Sequence, residues 1–418
     1  MQQRSAFFRR HEAELRNLLA RCRRELLDDV IPFWEKRVVD EVYGGYLNCF
    51  DRQGVLQSGC KPGWFAGRNL YMFSALYNTI EKNGRWLEIA QVGRRWMDTS
   101  FCAGGGRYNQ MMSRDGKVIN GFTSVFTDHF LAKGIYEYIL AAGLQGDEQE
   151  VALARGITDQ LLRDVADPVI QRMEGVPEGM QKHAINFMTL IVALESCKLF
   201  ENVYREVLDV CVHRSLHVFA NDEMQAPFEY VGAGGEPVLH GEGRLVDAGH
   251  TMESLWFSIH AGELCGRPEY YRRACTVMDW VLARTYDTEY GGFYQHVDVE
   301  HTVPQQPFLV SSYIDIPAAW NDKIWWVQAE GLYALAAAAL YGENEHFFTF
   351  FLQMADYVEH AMRDPVYGEW YSVLRRDGSI RADRKGFELK GPYHVPRCLM
   401  QLVVLLQRYL DGTLPLYT

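Results

Sequence analysis

The stretch PEYYRRACTVMDWVLARTY, residues 268–286, carries the pattern that decides the fold class. Its apolar side chains recur three or four residues apart, as on one face of an α-helix. They are Tyr270, Ala274, Val277, Met278, Val281 and Leu282. The same spacing returns along the chain and predicts about twelve helices, many of them in pairs with short links. We expect these helices near residues 6–40, 66–83, 86–101, 123–145, 147–165, 181–200, 201–220, 250–266, 268–286, 323–342, 344–363 and 394–411.

Three segments between predicted helices resemble one another. They are EVYGGYLNCFDRQG (41–54), TEYGGFYQHVDVE (288–300) and PVYGEWYSVLRRDG (365–378). In each, Tyr-Gly-Gly or Tyr-Gly-Glu precedes alternating aromatic residues, and alternation that closes on Asp377-Gly378 is typical of a small β-hairpin. No strand–helix alternation indicates a parallel sheet. The sequence therefore predicts an all-α ring of helical hairpins, with short β-hairpins in the loops at one end.

The organisation of the chain indicates one domain. We find no Pro/Ser-rich linker and no low-complexity segment, so we predict a single domain over residues 1–418. An open array of helical hairpins is the alternative to a closed ring. The aromatic content of 13% and the lack of a constant repeat length favour closure.

Composition argues against several classes of partner. The formal net charge of −12 disfavours nucleic acid, because nucleic-acid binding needs a basic face. Nine cysteines without a Cys-x-x-Cys pair indicate neither a disulfide framework nor a zinc ribbon, and they fit a reducing compartment. No apolar run approaches the ~20 residues that span a bilayer, and the charged N-terminus lacks an apolar signal core. We expect a soluble cytoplasmic protein without membrane or nucleic-acid partners.

Cofactor motifs are missing or weak. VGAGGEP, residues 231–237, is rich in glycine, but no predicted strand precedes it, so a dinucleotide site is not expected. The sequence has no P-loop, no His-Glu-x-x-His zinc motif and no Gly-x-Ser-x-Gly nucleophile motif. The thirteen histidines show no metal-ligand spacing. We therefore predict chemistry that requires neither a metal nor a redox cofactor.

Five predicted helices begin with polar residues and continue as apolar helices. Their starts read FAGRNLYMFSALYN (65–78), QKHAINFMTLIVALE (181–195), DAGHTMESLWF (247–257), KIWWVQAEGLYAL (323–335) and KGPYHVPRCL (390–399). If alternate helices of a ring run in the same direction, these N-terminal ends converge at one mouth. The candidate site residues are then Arg68, Lys182, His250, Glu253, Trp326, Glu330, His394 and Arg397.

Taken alone, several of these residues have a structural explanation. Arg68 or Lys182 at a helix start is more often a capping or surface residue, and His183 is expected to be structural. His250 and His394 share one context, a helix start that follows a glycine-containing segment, and this favours a functional role for both. A helix N-terminus disfavours imidazolium, so both rings are expected to accept a proton. The flat faces of tryptophan rings pack against the C–H face of a sugar, and fixed polar groups bind its hydroxyls, so these residues favour a sugar as the ligand.

The motifs resemble those of the N-acylglucosamine 2-epimerase family, also known as renin-binding protein, over nearly the whole chain. The segments that carry the resemblance are GRNLYMFS, KHAINFM, GHTMESLWF, KIWWVQAE and DPVYGEWYSVLRRDG…KGPYHVPRCL. The family folds as an (α/α)6 barrel and includes N-acylglucosamine 2-epimerases, cellobiose 2-epimerases and aldose–ketose isomerases. The resemblance implies that His250 and His394 are catalytic and that Arg68 binds substrate. It places three further residues at active-site positions: Glu253, Trp326 and Glu330.

One departure separates the branches of this family. The cellobiose epimerase and sugar isomerase branches carry a histidine after the methionine that Met188 matches, where this chain has Thr189. The N-acylglucosamine branch lacks that histidine and has a lysine upstream, which Lys182 matches. His183 stands where that branch often has proline. By this resemblance only, ATP is expected as an allosteric effector.

We therefore expect a sugar 2-epimerase that interconverts N-acetyl-D-glucosamine and N-acetyl-D-mannosamine. The reaction removes and returns the C2 proton of the open-chain aldose, with His250 and His394 as the two acid–base groups. Arg68 and Lys182 would stabilise the developing oxyanion, and Trp326 would stack on the sugar. The other expected substrate-binding residues, two of which could orient hydroxyls or the first histidine, are Glu253, Glu330 and Arg397.

Several alternatives stay open. An aldose–ketose isomerase, or a cellobiose or mannose 2-epimerase, would use the same residues. An inverting glycosidase would need two carboxylates about 6.5–9.5 Å apart. The carboxylates that could serve it are Asp364, Glu369, Glu253 and Glu330. A non-catalytic sugar- or protein-binding module would keep the tryptophans without the histidines, and a homodimer is the expected assembly.

Overall fold

The computed structural model of the protein describes residues 5–300 and 321–417, and a helix is present there at each of the twelve predicted places. The α-helices are α1 (Ala6–Arg24), α2 (Ile31–Glu35), α3 (Gly63–Thr79), α4 (Gly84–Trp96), α5 (Val125–Ala142), α6 (Glu148–Ala166), α7 (Pro168–Met173), α8 (His183–Phe200), α9 (Arg205–His213), α10 (Ala248–Cys265), α11 (Pro268–Thr285), α12 (Trp325–Tyr341), α13 (Glu345–Tyr357) and α14 (His394–Asp411). Four of them continue into a π-helical turn, at Glu25–Val30, Met97–Phe101, Arg214–Val218 and Val358–Met362. Among the α-helices of these described residues, the short α7 is the one that the apolar spacing did not predict.

The long helices of the described residues fall into two kinds. Six of them are buried around most of their circumference: α3, α5, α8, α10, α12 and α14. In α12 every residue except Trp326 is buried, because its sequence is apolar apart from Gln328 and Glu330, which are hydrogen-bonded inside the protein. The others bury one face only, as in α11, where five of the six predicted apolar residues are buried. Tyr270 is half-buried, and Tyr271 takes its place in the core.

The chain forms two compact units. Unit 1 comprises Met1–Val30, Val212–Ala382 and His394–Thr418, and unit 2 comprises Ile31–Cys211 and Asp383–Tyr393. In unit 1, α10 packs on α11 and α12, α12 packs also on α13 and α14, and α14 packs on α1. In unit 2, α3 packs on α4 and α5, and α5 packs also on α6 and α8. The single domain over residues 1–418 stays a prediction.

Sixteen short strands lie in the loops of the described residues. They are β1 (Cys49–Phe50), β2 (Leu56–Ser58), β3 (Lys61–Pro62), β4 (Cys102–Gly104), β5 (Arg107–Tyr108), β6 (Met111–Met112), β7 (Val118–Asn120), β8 (Met180–Lys182), β9 (Ala220–Asn221), β10 (Ala226–Pro227), β11 (Tyr230–Gly232), β12 (Leu245–Asp247), β13 (His296–Asp298), β14 (Lys323–Ile324), β15 (Val373–Leu374) and β16 (Ile380–Ala382). The hairpin predicted around Asp377-Gly378 is confirmed, because β15 pairs antiparallel with β16 and Val373 faces Ala382. Segment 288–300 differs: its strand β13 pairs with β12.

The three related segments share one turn, which an aspartate closes. Asp40, Asp287 and Asp364 each accept hydrogen bonds from the backbone N–H groups two and three residues further on. An antiparallel β-bridge flanks each turn. Two of these aspartates also bind one lysine and one arginine. The pairs are Asp40 with Lys61 (3.1 Å) and Arg114 (2.9 Å), and Asp287 with Lys323 (3.0 Å) and Arg376 (2.9 Å).

One described helix has the length and composition of a membrane span. It is α8, His183–Phe200, with a mean hydropathy of 1.3, and 78% of its residues are buried inside the protein. No membrane-spanning segment is expected from the sequence. The core helix of a globular protein can have the same length and composition, and the burial of α8 fits that position.

Candidate active site

His394 is the first residue of α14, as the preceding Gly-Pro segment predicts. Pro396 lies within the first turn, where its missing N–H leaves no helical hydrogen bond unmade. The His394 Nδ1 atom lies 2.6 Å from Glu330 Oε1 on α12. The residues are 7% and 2% exposed, so this imidazole–carboxylate pair is buried.

Arg397, one turn further along α14, holds two carboxylates together. Its Nη2 atom donates to Glu253 Oε1 at 2.5 Å and to Glu330 Oε1 at 2.6 Å. The second oxygen of Glu330 accepts the indole N–H of Trp256 at 2.9 Å. Arg397 is 1% exposed. The charge of Arg397 compensates two buried carboxylates, which gives it a supporting role in the site, and its predicted contact with substrate stays a prediction.

His250 has different acidic partners from the one that the sequence suggested. Its Nδ1 atom lies 3.0 Å from Glu229 Oε2 and 3.6 Å from Asp247 Oδ2. Glu253, three residues along α10, bonds to Arg397 instead. The hydrogen bonds of Glu253 and Glu330 go to Arg397 and, for Glu330, also to His394 and Trp256, rather than to His250. The other role expected of these two carboxylates, orienting the hydroxyls of the sugar, stays a prediction. The His250 side chain is 27% exposed, more than that of His394.

Asp247 joins the start of α10 to strand β13. Its Oδ1 atom caps the helix by accepting the backbone N–H of His250 at 2.8 Å. Its Oδ2 atom lies 2.9 Å from Nε2 of His296. Burial alone would raise the pKa of Asp247, but the neighbouring imidazoles of His250 and His296 lower that pKa to well below its usual range. The carboxylate of Asp247 is therefore ionised when the site works near neutral pH.

Trp326 lies against both imidazoles. Its ring centroid is 5.4 Å from that of His250 and 5.6 Å from that of His394. The indole also packs on Gly249, where a Cβ atom would come within 2.2 Å of a Trp326 ring carbon. The glycine before His250 is therefore required by this close approach. The structure brings His250, Trp326 and His394 together in unit 1.

The other predicted residues belong to unit 2. Arg68, in the second turn of α3, is 7% exposed, and its guanidinium carbon lies 4.1 Å from the ring centroid of Phe130. It also lies 4.8 Å from the ring centroid of Tyr393. Lys182 directly precedes α8 and donates to the backbone oxygen of Glu174 at 2.9 Å. Their predicted contact with substrate stays a prediction.

Thr189, the residue that departs from two branches of the family, has a histidine beside it. Nε2 of His129 lies 3.2 Å from Thr189 Oγ1, and Nδ1 of His129 lies 2.9 Å from the backbone oxygen of Val125. Burial lowers the pKa of His129 to about 4, so this ring is neutral. His183, expected to be structural, is 1% exposed and packs its ring on Phe187.

Sequence reasoning missed the residues behind His250, namely Glu229, Asp247 and His296. One signal was present. Aspartate three residues before His250, at the start of an apolar helix, is a helix N-cap pattern. No spacing connects the other two to the helix, because they reach the site through short strands and loops.

Among the described residues, one group of side chains could ligate a metal ion. Glu253, Glu330 and His394 each offer one ligand atom, and these atoms lie within 4.8 Å of one another. The guanidinium of Arg397, however, lies at hydrogen-bonding distance from both carboxylates. A metal ion at this position would have to displace a buried arginine, so the arrangement fits an ion-pair cluster better than a metal site.

The fold is that of known sugar epimerases and isomerases. The structure resembles cellobiose 2-epimerase from Spirochaeta thermophila with a TM-score of 0.78 and 19% identity, covering 96% of this chain and 98% of that one. It resembles D-mannose isomerase with a TM-score of 0.76 and 14% identity, covering 92% and 97%. The (α/α)6 barrel class expected from the sequence is thereby confirmed.

The sequence has relatives along nearly its full length. Human N-acylglucosamine 2-epimerase is 27% identical over 400 residues, which cover 93% of this chain and 90% of the human protein. Cellobiose 2-epimerase of Bacteroides fragilis is 23% identical, with coverage of 91% and 97%. Residues 45–398 match the family described as N-acylglucosamine 2-epimerase (GlcNAc 2-epimerase). The chain belongs to this family, and the protein is an enzyme of the isomerase class.

Proposed function

We propose that the protein interconverts N-acetyl-D-glucosamine and N-acetyl-D-mannosamine by proton transfer at C2 of the open-chain sugar. Full-length similarity to N-acylglucosamine 2-epimerases of four mammals supports this substrate. The observation that carries the chemistry is the pair formed by His250 and His394. Each ring has its Nδ1 atom against a buried carboxylate, and both rings flank Trp326.

The C2 proton becomes acidic only next to a carbonyl, so the ring of the sugar must open first. One base then removes the proton and leaves an enediolate, and a second group returns a proton to the opposite face. Two histidines on either side of the sugar meet this need. With Nδ1 of each ring held by a carboxylate, proton exchange falls to Nε2. We assign this exchange to His250 and His394.

The remaining residues receive supporting roles in the proposal. Arg68 and Lys182 stabilise the oxyanion that develops at the carbonyl, a contribution of roughly 3 kcal/mol for a fixed donor in a dry site. Trp326, half-buried between the imidazoles, offers the exposed part of its indole to the sugar. Arg397 keeps Glu330 in place behind His394.

The carboxylates argue against the glycosidase alternative. The ligand oxygens of Glu253 and Glu330 lie within 4.8 Å of each other, closer than the roughly 6.5–9.5 Å of an inverting pair. Both also bond to Arg397, which holds them together in one ion-pair cluster. Asp364 accepts hydrogen bonds from backbone N–H groups of its own turn, which indicates that it stabilises this turn.

Proton NMR in D2O tests the proposal. We expect N-acetylglucosamine and N-acetylmannosamine to interconvert, with deuterium appearing at C2 of the product. Mannose and cellobiose serve as competing substrates. Deuterium at C1 of a ketose would indicate the aldose–ketose isomerase. Release of glucose from cellobiose would indicate a glycosidase. No change in any of the four sugars would indicate a non-catalytic binding module.

We also infer a cytoplasmic homodimer that requires no cofactor for its chemistry, with ATP as an allosteric effector. All nine cysteines lie in described parts of the chain and are free thiols, which supports a reducing compartment. Size-exclusion chromatography with light scattering tests the dimer. A thermal-shift titration with ATP, run beside an activity titration, tests the effector.

A further inference from the structure

His250 is surrounded by groups that neither the sequence pattern nor the family likeness assigns to the reaction. Within the described residues of unit 1, the titratable groups near its ring come from three elements. Glu229 precedes strand β11, Asp247 ends β12, and His296 begins β13. All three are more than nine-tenths buried, with exposed fractions of 2%, 2% and 8%.

The distances define what these groups do to the imidazole. Nδ1 of His250 lies 3.0 Å from Glu229 Oε2, so Nδ1 carries the proton that this hydrogen bond needs. A second carboxylate oxygen, on Asp247, lies 3.6 Å from the same nitrogen. Ionised carboxylates cannot donate, so both of them stabilise the tautomer with hydrogen on Nδ1.

Asp247 cannot turn away from this position. Its Oδ1 atom is bound by the backbone N–H of His250 at 2.8 Å, and its Oδ2 atom is held by His296 Nε2 at 2.9 Å. Strand β12, which carries Asp247, pairs with β13 so that Asp247 faces His296 directly. The pairing of β12 with β13 thus holds Asp247 in a fixed position at the start of α10.

We propose that Glu229 and Asp247, with His296 behind Asp247, are positioning residues that keep the proton on Nδ1 of His250 and so present Nε2 to the substrate. This inference rests on the proposed C2 epimerisation for its catalytic consequence. The role resembles the carboxylate that orients a catalytic or metal-binding imidazole in other enzymes. His394 has a different arrangement, since its carboxylate also bonds to an arginine.

Two variants separate positioning from folding. Glu229→Gln keeps the size of the side chain and removes its charge. Asp247→Ser keeps an oxygen that can cap α10 but removes the oxygen that faces His250 and His296. We expect kcat to fall about 10- to 100-fold in each variant, the range seen when such outer partners are lost, with KM within about twofold of wild type. The matched control is Glu223→Gln, an exposed carboxylate of the same unit, which should leave both constants unchanged.

A second readout does not depend on turnover. Nitrogen-15 NMR of histidine-labelled protein distinguishes protonated from unprotonated ring nitrogens, and the His250 signals are assigned by their loss in His250→Gln. We expect Nδ1 of His250 to be protonated in the wild type. In Glu229→Gln, part of the population should carry its proton on Nε2 only.

The two readouts separate failure of this inference from failure of the proposed function. If the wild type does not epimerise either N-acetylated sugar, the proposed function fails, while the tautomer measurement still tests the positioning. An unchanged His250 tautomer in both variants overturns the positioning role, whatever happens to kcat. A Glu229→Gln enzyme with wild-type kcat overturns its catalytic consequence.

Discussion

At the scale of single residues, the two imidazoles are supported in different ways. The carboxylate behind His394 bonds to Arg397, whereas Asp247, one of the two carboxylates behind His250, bonds to His296. The two sites therefore differ in local charge, although both place an acidic oxygen at Nδ1. An enzyme that must remove a proton from one face and return it to the other can use such a difference, because its two groups need opposite protonation states.

The first prediction concerns this pair. His250→Ala and His394→Ala should each lower kcat by about 10²–10⁴-fold, the usual contribution of a general acid–base group, with KM largely kept. In D2O, each variant should still exchange the C2 proton of one epimer while failing to interconvert the two. The control is His260→Gln on the same helix, whose Nε2 atom lies 2.9 Å from Tyr333 Oη. Near-normal epimerisation by His394→Ala would contradict the pairing.

The second prediction concerns Arg397. Arg397→Met leaves Glu253 and Glu330 buried without their shared cation. Removing one partner of a buried ion pair costs about 3–5 kcal/mol, so the free energy of unfolding should fall by that amount. Urea unfolding followed by circular dichroism measures it, and the exposed Arg272→Met is the control. A stability equal to that of the wild type would show that the two carboxylates do not need the guanidinium.

At the scale of elements, the contact between α10 and α12 depends on one missing side chain. A Cβ at Gly249 would lie 2.2 Å from Trp326, so Gly249→Ala should push the indole away from the imidazoles. We expect kcat to fall at least tenfold and the tryptophan fluorescence to change. Gly156→Ala in α6 is the control, because nothing lies within 4 Å of its Cβ position. That control should stabilise the protein by about 0.5–1 kcal/mol. A fully active Gly249→Ala enzyme would refute the required contact.

The fourth prediction concerns the turn closed by Asp287 and the dependence of the free energy of unfolding on pH. Burial raises the pKa of Asp287, but Arg376, Tyr294 and Lys323 lower it to well below its usual range. Its stabilising effect is therefore full above the unfolded pKa of about 3.9 and is lost as the pH falls toward the lower folded value. Asp287→Asn should cost about 3 kcal/mol or more at pH 7.

The difference between wild type and Asp287→Asn should be constant above about pH 5 and shrink below about pH 4, as urea unfolding at several pH values can show. The exposed Asp377→Asn at the tip of the β15–β16 hairpin is the control and should cost much less. A difference that grows as the pH falls would have the wrong sign and would remove the proposed role of the ionised carboxylate.

At the scale of the whole molecule, the two carboxylates of the one group that could ligate a metal in residues 5–300 and 321–417 are already paired with Arg397. We therefore expect epimerase activity to survive EDTA and exhaustive dialysis. The measurement is turnover before and after treatment, with a mock-dialysed sample as the control. Complete loss after EDTA that a single divalent ion restores would overturn this prediction.

Much of the fold followed from the sequence, because helix periodicity is a local signal. The apolar spacing located twelve helices, and α14 begins at His394, where the Gly-Pro segment placed it. The hairpin at Asp377-Gly378 was equally local. Segment 288–300 was only partly predicted: its turn matches, but its strand pairs with Leu245–Asp247, about fifty residues earlier in the chain.

The sequence by itself determined the helices, the family and the histidines at two helix starts, since these depend on residue types at short spacing. Only the tertiary structure decided which carboxylate serves which histidine. Glu253 shares a helix face with His250 yet bonds to Arg397, while Glu229 reaches His250 from a loop. A hydrogen bond depends on positions within about 3 Å, and packing between distant segments sets those positions.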